Sequence, residues 1–116
     1  MIMQRDIDVY LRDILESCEH ISKNIGSSSI DDFRTNTILQ DAIIRRFEII
    51  GEAVKHVPEE MRVKYPDIAW QNAAGFRDVL IHDYPEVIID DVYHTATSNL
   101  PAFRAQIAQV LAEIQK

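Results

Sequence analysis

Five side chains with acid–base or charge-binding chemistry lie within one eight-residue segment, Arg-Asp-Val-Leu-Ile-His-Asp-Tyr at positions 77–84, and Pro85 follows directly. The remaining members are apolar, and an apolar helix rarely needs such a polar cluster for packing alone. At about 100° per residue, Asp78 and His82 share one helix face and are close enough for a carboxylate–imidazole hydrogen bond. Arg77 and His82 differ by about 140°. Val79 and Leu80 are predicted to face the core.

Pro85 sets the expected end of this helix, because proline continues a helix poorly and disfavours helical geometry at the residue before it. His82 then lies in the last turn, where the negative end of the helix macrodipole favours a cationic imidazole. A histidine beside a fixed arginine is suited to proton transfer at a phosphate. The simpler alternative is a solvated helix face, with Asp78 in an ordinary surface pair and Tyr84 as a packing residue.

The same segment, written R-x-x-x-x-H-x-Y, resembles the signature of HEPN proteins, and most closely that of the HepT branch. Two more segments support this resemblance. Residues 42–53, Ala-Ile-Ile-Arg-Arg-Phe-Glu-Ile-Ile-Gly-Glu-Ala, resemble the central helix of that family. Residues 70–76 resemble the lead-in to its catalytic motif, and Asn-Leu-Pro at 99–101 resembles a late Leu-Pro step. The similarity extends over nearly the whole chain.

The resemblance implies a toxin that cleaves RNA, with tRNA as the implied target, without a metal ion or other cofactor. His82 is then the general acid or base, and Arg77 holds the phosphate. A homodimer would supply the second proton-transfer group, because one His and one Arg are too few for a reaction that needs an acid and a base. The implied partner is an MntA-like nucleotidyltransferase antitoxin that attaches AMP to Tyr84. Asp78 stands where relatives often have Asn, which leaves its role open.

Charged residues of the preceding helix pattern are the supporting candidates. Arg45 and Glu48, like Glu48 and Glu52, are one turn apart, so a salt-bridged surface is the simpler interpretation. The alternative is that Glu52 braces Arg77 from the second helix. Arg45, Arg46 and Lys55 are further cations that a phosphate cleft could collect. His20, His56 and His94 are interpreted as surface or capping residues, and no metal site is expected.

Composition limits the remaining function classes. At 116 residues, the chain is predicted to be a single helical domain over 1–116. The net charge of −7 is unfavourable for phosphate binding and would equally suit a basic protein partner. The lone Cys18 offers no disulfide framework, no apolar run is long enough to span a membrane, and no signal peptide is apparent. The sequence therefore predicts a cytoplasmic protein.

Helical spacing of apolar residues predicts an all-α, up-and-down bundle of four to five helices. The first helix is expected from about Arg5 to Ile25, ended by Gly26, and a long second helix from about Asn36 to His56, with Ile38 among its buried residues. A third helix from Trp70 carries the polar cluster, and residues 87–97 and 101–114 follow as helices.

A rival function from a different class is a non-catalytic helical subunit that docks a nucleotidyltransferase and cuts nothing. The acidic charge favours this alternative. The intact set of Arg77, His82 and Tyr84 favours the enzyme.

Overall fold

The computed structural model describes residues 4–83 and 88–115, which are helical with no strand. The helices are α1 (Gln4–Ile25), α2 (Ile30–Arg34), α3 (Thr37–His56), α4 (Glu59–Lys64), α5 (Trp70–Asp83), α6 (Ile88–His94) and α7 (Leu100–Ile114), with a π-helical turn over Thr95–Asn99. The all-α class predicted from the sequence is confirmed. In the described ranges, no helix is both long and apolar enough to cross a membrane.

Local sequence signals set the ends of the first three helices. Gly26 follows α1 with φ of 48°, the left-handed geometry that glycine adopts without steric cost, and its amide donates to the carbonyl of Ser22 at 3.1 Å. Ser29 and Asp32 form a reciprocal capping box at the start of α2. The side chain of Asn36 caps α3 by accepting from the amide of Leu39 at 3.0 Å.

The long helix α3 is the centre of the bundle. It packs against α1 on one side and α5 on another, and α1 also contacts α7. Their shared core is mainly aliphatic, and the aromatic rings of Phe33, Phe47 and Trp70 are also buried in it. Its fully buried members include Leu11, Ile14, Ile21, Phe33, Ile43, Val54, Leu80, Ile107 and Val110. Cys18 lies in this core, and burial raises the pKa of its thiol to about 12.

Trp70 fixes the start of the helix that carries the polar cluster. Its indole Nε1 donates to the carbonyl of Tyr65 at 3.0 Å, and its side chain is buried. The hydroxyl of Tyr65 in turn donates to a carboxylate oxygen of Glu113, near the end of α7, at 2.6 Å. The turn before α5 is therefore held by both its own helix and α7.

Two positions predicted to be buried are not. Ile38 is 84% exposed because it lies nine residues before Phe47, a rotation of about 180° that puts it on the opposite face of α3. Val79 is 43% exposed, whereas its neighbour Leu80 is buried as predicted. One residue is a rotation of about 100°, so both could not face a core on one side of α5.

Helices α3 and α5 are in tight contact at Gly51. A methyl group there would overlap the Cβ of Arg77 and lie 2.9 Å from its Cγ and 3.0 Å from the carbonyl oxygen of Ala73. Gly51 thus lets the stem of Arg77 rest directly on the backbone of α3. In α5 itself, Gly75 has open space around its Cα.

Gly51→Ala is expected to lower the free energy of unfolding by about 1–3 kcal/mol, because a methyl group would force α5 away from α3. Gly75→Ala is the matched control and should stabilise the protein by about 0.5–1 kcal/mol, because alanine loses less conformational entropy than glycine when the helix forms. Urea unfolding followed by circular dichroism measures both. Equal effects of the two substitutions would contradict the close contact.

Candidate functional site

Arg77 lies in a fixed position between two carboxylates. Its Nη2 is 3.1 Å from Glu52 on α3, and its Nη1 donates to the adjacent Asp78 at 3.1 Å. The side chain is 27% exposed, so the stem is shielded while the guanidinium faces a groove. The sequence offered two interpretations of Glu52, a salt-bridged helix surface or a brace for Arg77, and in the structure its carboxylate contacts Arg77. Any anionic ligand of Arg77 must therefore compete with two carboxylates or use its remaining N–H groups.

Asp78 does not orient His82 as the helix spacing predicted. Its Oδ1 accepts from Lys55 Nζ at 2.6 Å and from Arg77, so a cation on the neighbouring helix α3 has replaced the partner one turn away. Two cationic donors outcompete an imidazole for one carboxylate oxygen. The hydrogen bond from Lys55, followed by that from Arg77, holds the pKa of Asp78 below its usual value.

His82 lies in the last turn of α5 and is exposed. It is five residues beyond Arg77, which corresponds to a rise of about 7.5 Å and a rotation of about 140°. The groove beside Arg77 includes Ile81 but not His82 in its lining. Tyr84, the predicted site of AMP attachment, is outside the described residues, as is Pro85. The structure therefore places the two predicted catalytic residues on one helix but on different sides of it.

The groove beside Arg77, hereafter the Arg77 groove, is formed by α1, α3 and α5 and has a volume of about 330 Å³. It contains an imidazole that the sequence interpretation left out. His56 Nε2 is 3.4 Å from Glu52, and its ring stacks on Tyr10 with centroids 4.9 Å apart and planes 12° apart. The lining residues are Tyr10, Asp13, Arg45, Glu48, Ile49, Glu52, Ala53, His56, Arg77 and Ile81.

The Arg45 side chain is more exposed, and its ion pair is longer, than the Glu52 side chain and its pair with Arg77. Its side chain is 70% exposed and pairs with Glu48 at 3.5 Å, one turn along α3. The salt-bridged surface is thus the interpretation that fits Arg45 and Glu48. Because it is mostly exposed and has one partner, the Arg45 guanidinium can turn toward an incoming phosphate, whereas that of Arg77 is held by two carboxylates.

Charges around the groove alternate in sign along one chain of contacts. Lys55 pairs with Asp78, Asp78 with Arg77, Arg77 with Glu52, and Glu52 with His56. Each carboxylate is therefore shared between Arg77 and one other group. The arrangement can present a cation to a phosphate and an imidazole to a proton without a basic surface. Among residues 4–83 and 88–115, no three His, Cys, Asp or Glu side chains are grouped to hold a metal ion.

A second, largely apolar groove of about 390 Å³ lies between α3, α5 and α7. Phe76, the residue before Arg77, meets Phe47 edge to face with centroids 5.2 Å apart. Phe103 of α7 also lines this groove. Phe76, directly before Arg77 in the sequence, thus packs against the core, whereas the guanidinium of Arg77 lies in the Arg77 groove.

Comparison with known proteins decides the family. The model of a family described as ribonuclease HepT-like matches residues 14–110. This chain belongs to the HepT-like ribonuclease family. The resemblance inferred from the R-x-x-x-x-H-x-Y segment is therefore confirmed. No solved structure gives a significant match to the chain.

Relatives of this HepT-like chain carry ribonuclease names. A protein of Caldanaerobacter subterraneus named "Putative RNase" is 37% identical over 88% of this chain and 91% of its own length. A "Probable ribonuclease HepT" of Thermococcus cleftensis is 33% identical over 93% of this chain and 98% of its own. A Methanocaldococcus jannaschii protein named "Gamma-glutamylcyclotransferase and putative RNase" is 40% identical, and this chain spans 51% of its length.

Lys55→Met should raise the pKa of Asp78 toward the usual aspartate value, because the largest cause of its depression is the hydrogen bond from Lys55. A depressed pKa contributes stability above the unfolded-state value and loses it as the pH falls through the folded-state value. The variant should therefore lose less stability on acidification than the wild type. Carbon-detected NMR of the carboxyl group measures the shift. Lys64→Met is the control, since Lys64 lies over the Tyr65 ring instead.

Proposed function

We propose that this HepT-like chain is the toxin of a toxin–antitoxin pair, a metal-independent endoribonuclease that acts on RNA, specifically tRNA. The observation that supports this most is the fixed Arg77 at the α3–α5 contact, five residues before His82, in a chain whose relatives carry ribonuclease names. The groove beside Arg77 offers a guanidinium and polar groups to one phosphate of an RNA strand.

Cleavage begins when the ribose 2′-hydroxyl attacks the adjacent phosphorus. An imidazole takes the proton of that hydroxyl, and a second acid protonates the leaving 5′ oxygen as the P–O5′ bond breaks. Arg77 stabilises the extra negative charge on the non-bridging oxygens of the phosphorane. His82 is one of the two proton-transfer groups. The products are a 2′,3′-cyclic phosphate and a 5′-hydroxyl, and no water is consumed.

We extend the proposal to a homodimer that brings two copies of residues 77–84 to one cleft. Val79 and Ile81 lie within this motif on α5, and they are 43% and 44% exposed. Exposed aliphatic side chains beside a polar site are typical of a surface that a partner covers. A twofold axis near α5 would place a second His82 opposite Arg77 of the first chain.

The acidity of the Arg77 groove is what favours the alternative of a non-catalytic subunit. Asp13, Glu48 and Glu52 line the groove with only Arg45 and Arg77 as cations. A surface of this charge suits a basic protein better than an RNA backbone. The two functions differ in what the loss of His82 does, because a docking subunit does not need a proton-transfer group.

Arg77→Met and His82→Ala are expected to fold normally but to lose RNA cleavage and toxicity in a bacterial host, by about 10²–10⁴-fold in rate. Methionine keeps the stem that rests on Gly51, so it removes the charge without opening a cavity. The controls are Arg104→Met, whose ion pair with Glu19 lies on α7 and α1, and His94→Ala.

Cleavage by the wild type should persist in EDTA, and light scattering of the active sample should give a dimer. Undiminished cleavage by His82→Ala would overturn the mechanism. Absence of cleavage by every form, with intact binding to the partner, would favour the docking subunit.

We propose that the toxin is inactivated when the partner nucleotidyltransferase transfers AMP to Tyr84. A phosphate attached to Tyr84, seven residues after Arg77 in the sequence, would compete with the RNA backbone for the Arg77 guanidinium. Co-expression with the antitoxin should therefore add one or more AMP units to the peptide that contains Tyr84. Tyr84→Phe should abolish the adduct.

The other tyrosines provide the matched controls, because phenylalanine at these positions should leave the adduct in place. Tyr65 and Tyr93 donate hydrogen bonds to Glu113 and to the carbonyl of Ser28, and Tyr10 stacks on His56. Peptide mass spectrometry locates the modification. An adduct on any of these three tyrosines would refute the assignment to Tyr84.

A further inference from the structure

We infer that His56 is a catalytic residue, the general base that takes the proton from the ribose 2′-hydroxyl. The inference rests on the proposed ribonuclease function and adds a residue to it. The supporting observation is that the Arg77 groove contains an imidazole, and that this imidazole belongs to His56 rather than to His82. A phosphate held by Arg77 is thus within the groove that His56 also lines.

Glu52 gives His56 the electrostatic setting of a base. One carboxylate oxygen is 3.4 Å from His56 Nε2, and the other is 3.1 Å from Arg77 Nη2. A carboxylate beside one ring nitrogen favours the tautomer with hydrogen on that nitrogen and leaves the other nitrogen as an acceptor. It also stabilises the imidazolium that forms when the acceptor nitrogen takes a proton. The 3.4 Å separation is long for a hydrogen bond, so Glu52 acts on His56 in this structure mainly through its charge.

Tyr10 fixes the plane of the imidazole. The two rings are nearly parallel, at 12°, with centroids 4.9 Å apart, and the His56 side chain remains 49% exposed. Stacking removes rotamer freedom at a residue that is otherwise at the surface, so the free ring edge keeps a constant direction. The exposure leaves room for a substrate hydroxyl at that edge.

The groups that face His56 come from three helices. They determine any pH dependence of its protonation: Tyr10 and Asp13 from α1, Arg45, Glu48 and Glu52 from α3 itself, and Arg77 from α5. The base thus works beside a cation that holds the phosphate, with Glu52 in contact with both.

The proton balance of the reaction follows from this assignment. The 2′ oxygen forms a bond to phosphorus, and its proton moves to His56. The P–O5′ bond breaks, and the leaving oxygen takes a proton from the imidazolium of His82. After product release, His56 returns its proton to solvent and His82 regains one. A dimer can therefore supply both proton-transfer groups at one phosphate, His56 from one chain and His82 from the other, and they are chemically distinct residues.

The test compares His56→Gln with His82→Gln on an RNA substrate and on the same substrate with a bridging 5′-sulfur at the scissile linkage. A thiolate leaves without a proton, so the sulfur substitution should restore cleavage to His82→Gln and not to His56→Gln. On the ordinary substrate, His56→Gln should lower kcat by about 10²–10⁴-fold with little change in KM. The rise of the rate with pH on the acidic side should disappear, because that limb reports the base.

His20→Gln is the matched control. His20 also pairs with a glutamate one turn before it, Glu16, at 3.8 Å, and is 44% exposed, but it lies outside the Arg77 groove. Its substitution should leave kcat and the pH profile unchanged. Thermal unfolding of all three variants identifies any general loss of structure, and His56→Asn provides a second substitution if His56→Gln is unstable.

Each outcome bears on the inference. If His56→Gln and His56→Asn cleave RNA with the kcat and the pH profile of the wild type, the role of His56 is overturned, while the proposed ribonuclease function stands. Rescue of His56→Gln by the 5′-sulfur would make His56 the acid and refute the assignment as base. Failure of the wild-type protein to cleave RNA would remove the proposed function and the inference with it.

Discussion

The contact between α3 and α5 at Gly51 determines the geometry of everything around it. Because position 51 has no side chain, the stem of Arg77 lies against the backbone of α3, and the carboxylate of Glu52 is one residue away. A rigid stem is what distinguishes Arg77 from Arg45, which extends from α3 into solvent. Helix packing, and not a loop, therefore holds the central cation of the groove. The precision of the site depends on the stability of the bundle.

An acidic chain can still present a cation to a phosphate when the acidity is locally shared. Asp78 is drawn toward Lys55 as well as Arg77, and Glu52 lies between Arg77 and His56. Lys55 partly neutralises Asp78, which lowers the electrostatic cost for an anion that approaches Arg77. The net charge of −7 describes the whole surface and says little about the field at one guanidinium.

Local chemistry made most helix ends predictable from the sequence. Gly26, Asn36 and Trp70 stand where α1 ends and where α3 and α5 begin. The contacts of the site were less accessible, since they join residues that are distant along the chain. Helix spacing paired Asp78 with His82, but a lysine 23 residues earlier takes the carboxylate. The sequence interpretation of His56 was a surface or capping residue, because helix spacing does not reveal its stacking partner Tyr10, which is 46 positions away. Its pairing with Glu52 was visible as an i,i+4 spacing, and the missing information was the rotation of α3 relative to α1 and α5.

The π-helical turn at Thr95–Asn99 joins α6 and α7 without a break and rotates the side chains of α7 relative to those of α6. The two helices can therefore contact neighbours that one regular α-helix could not reach together. Leu100 N–H donates to the carbonyl of Thr95, five residues back, and Pro101, which has no N–H to donate, follows at once. On one side of this turn, Asp90 binds Arg34 and Tyr93 binds the backbone at Ser28. On the other, Glu113 receives Tyr65, and Arg104 meets Glu19. The extra residue of the turn changes the rotation of α7 about the helix axis, so substitutions can alter the contact face of α6 or of α7 separately while the two remain one continuous helix.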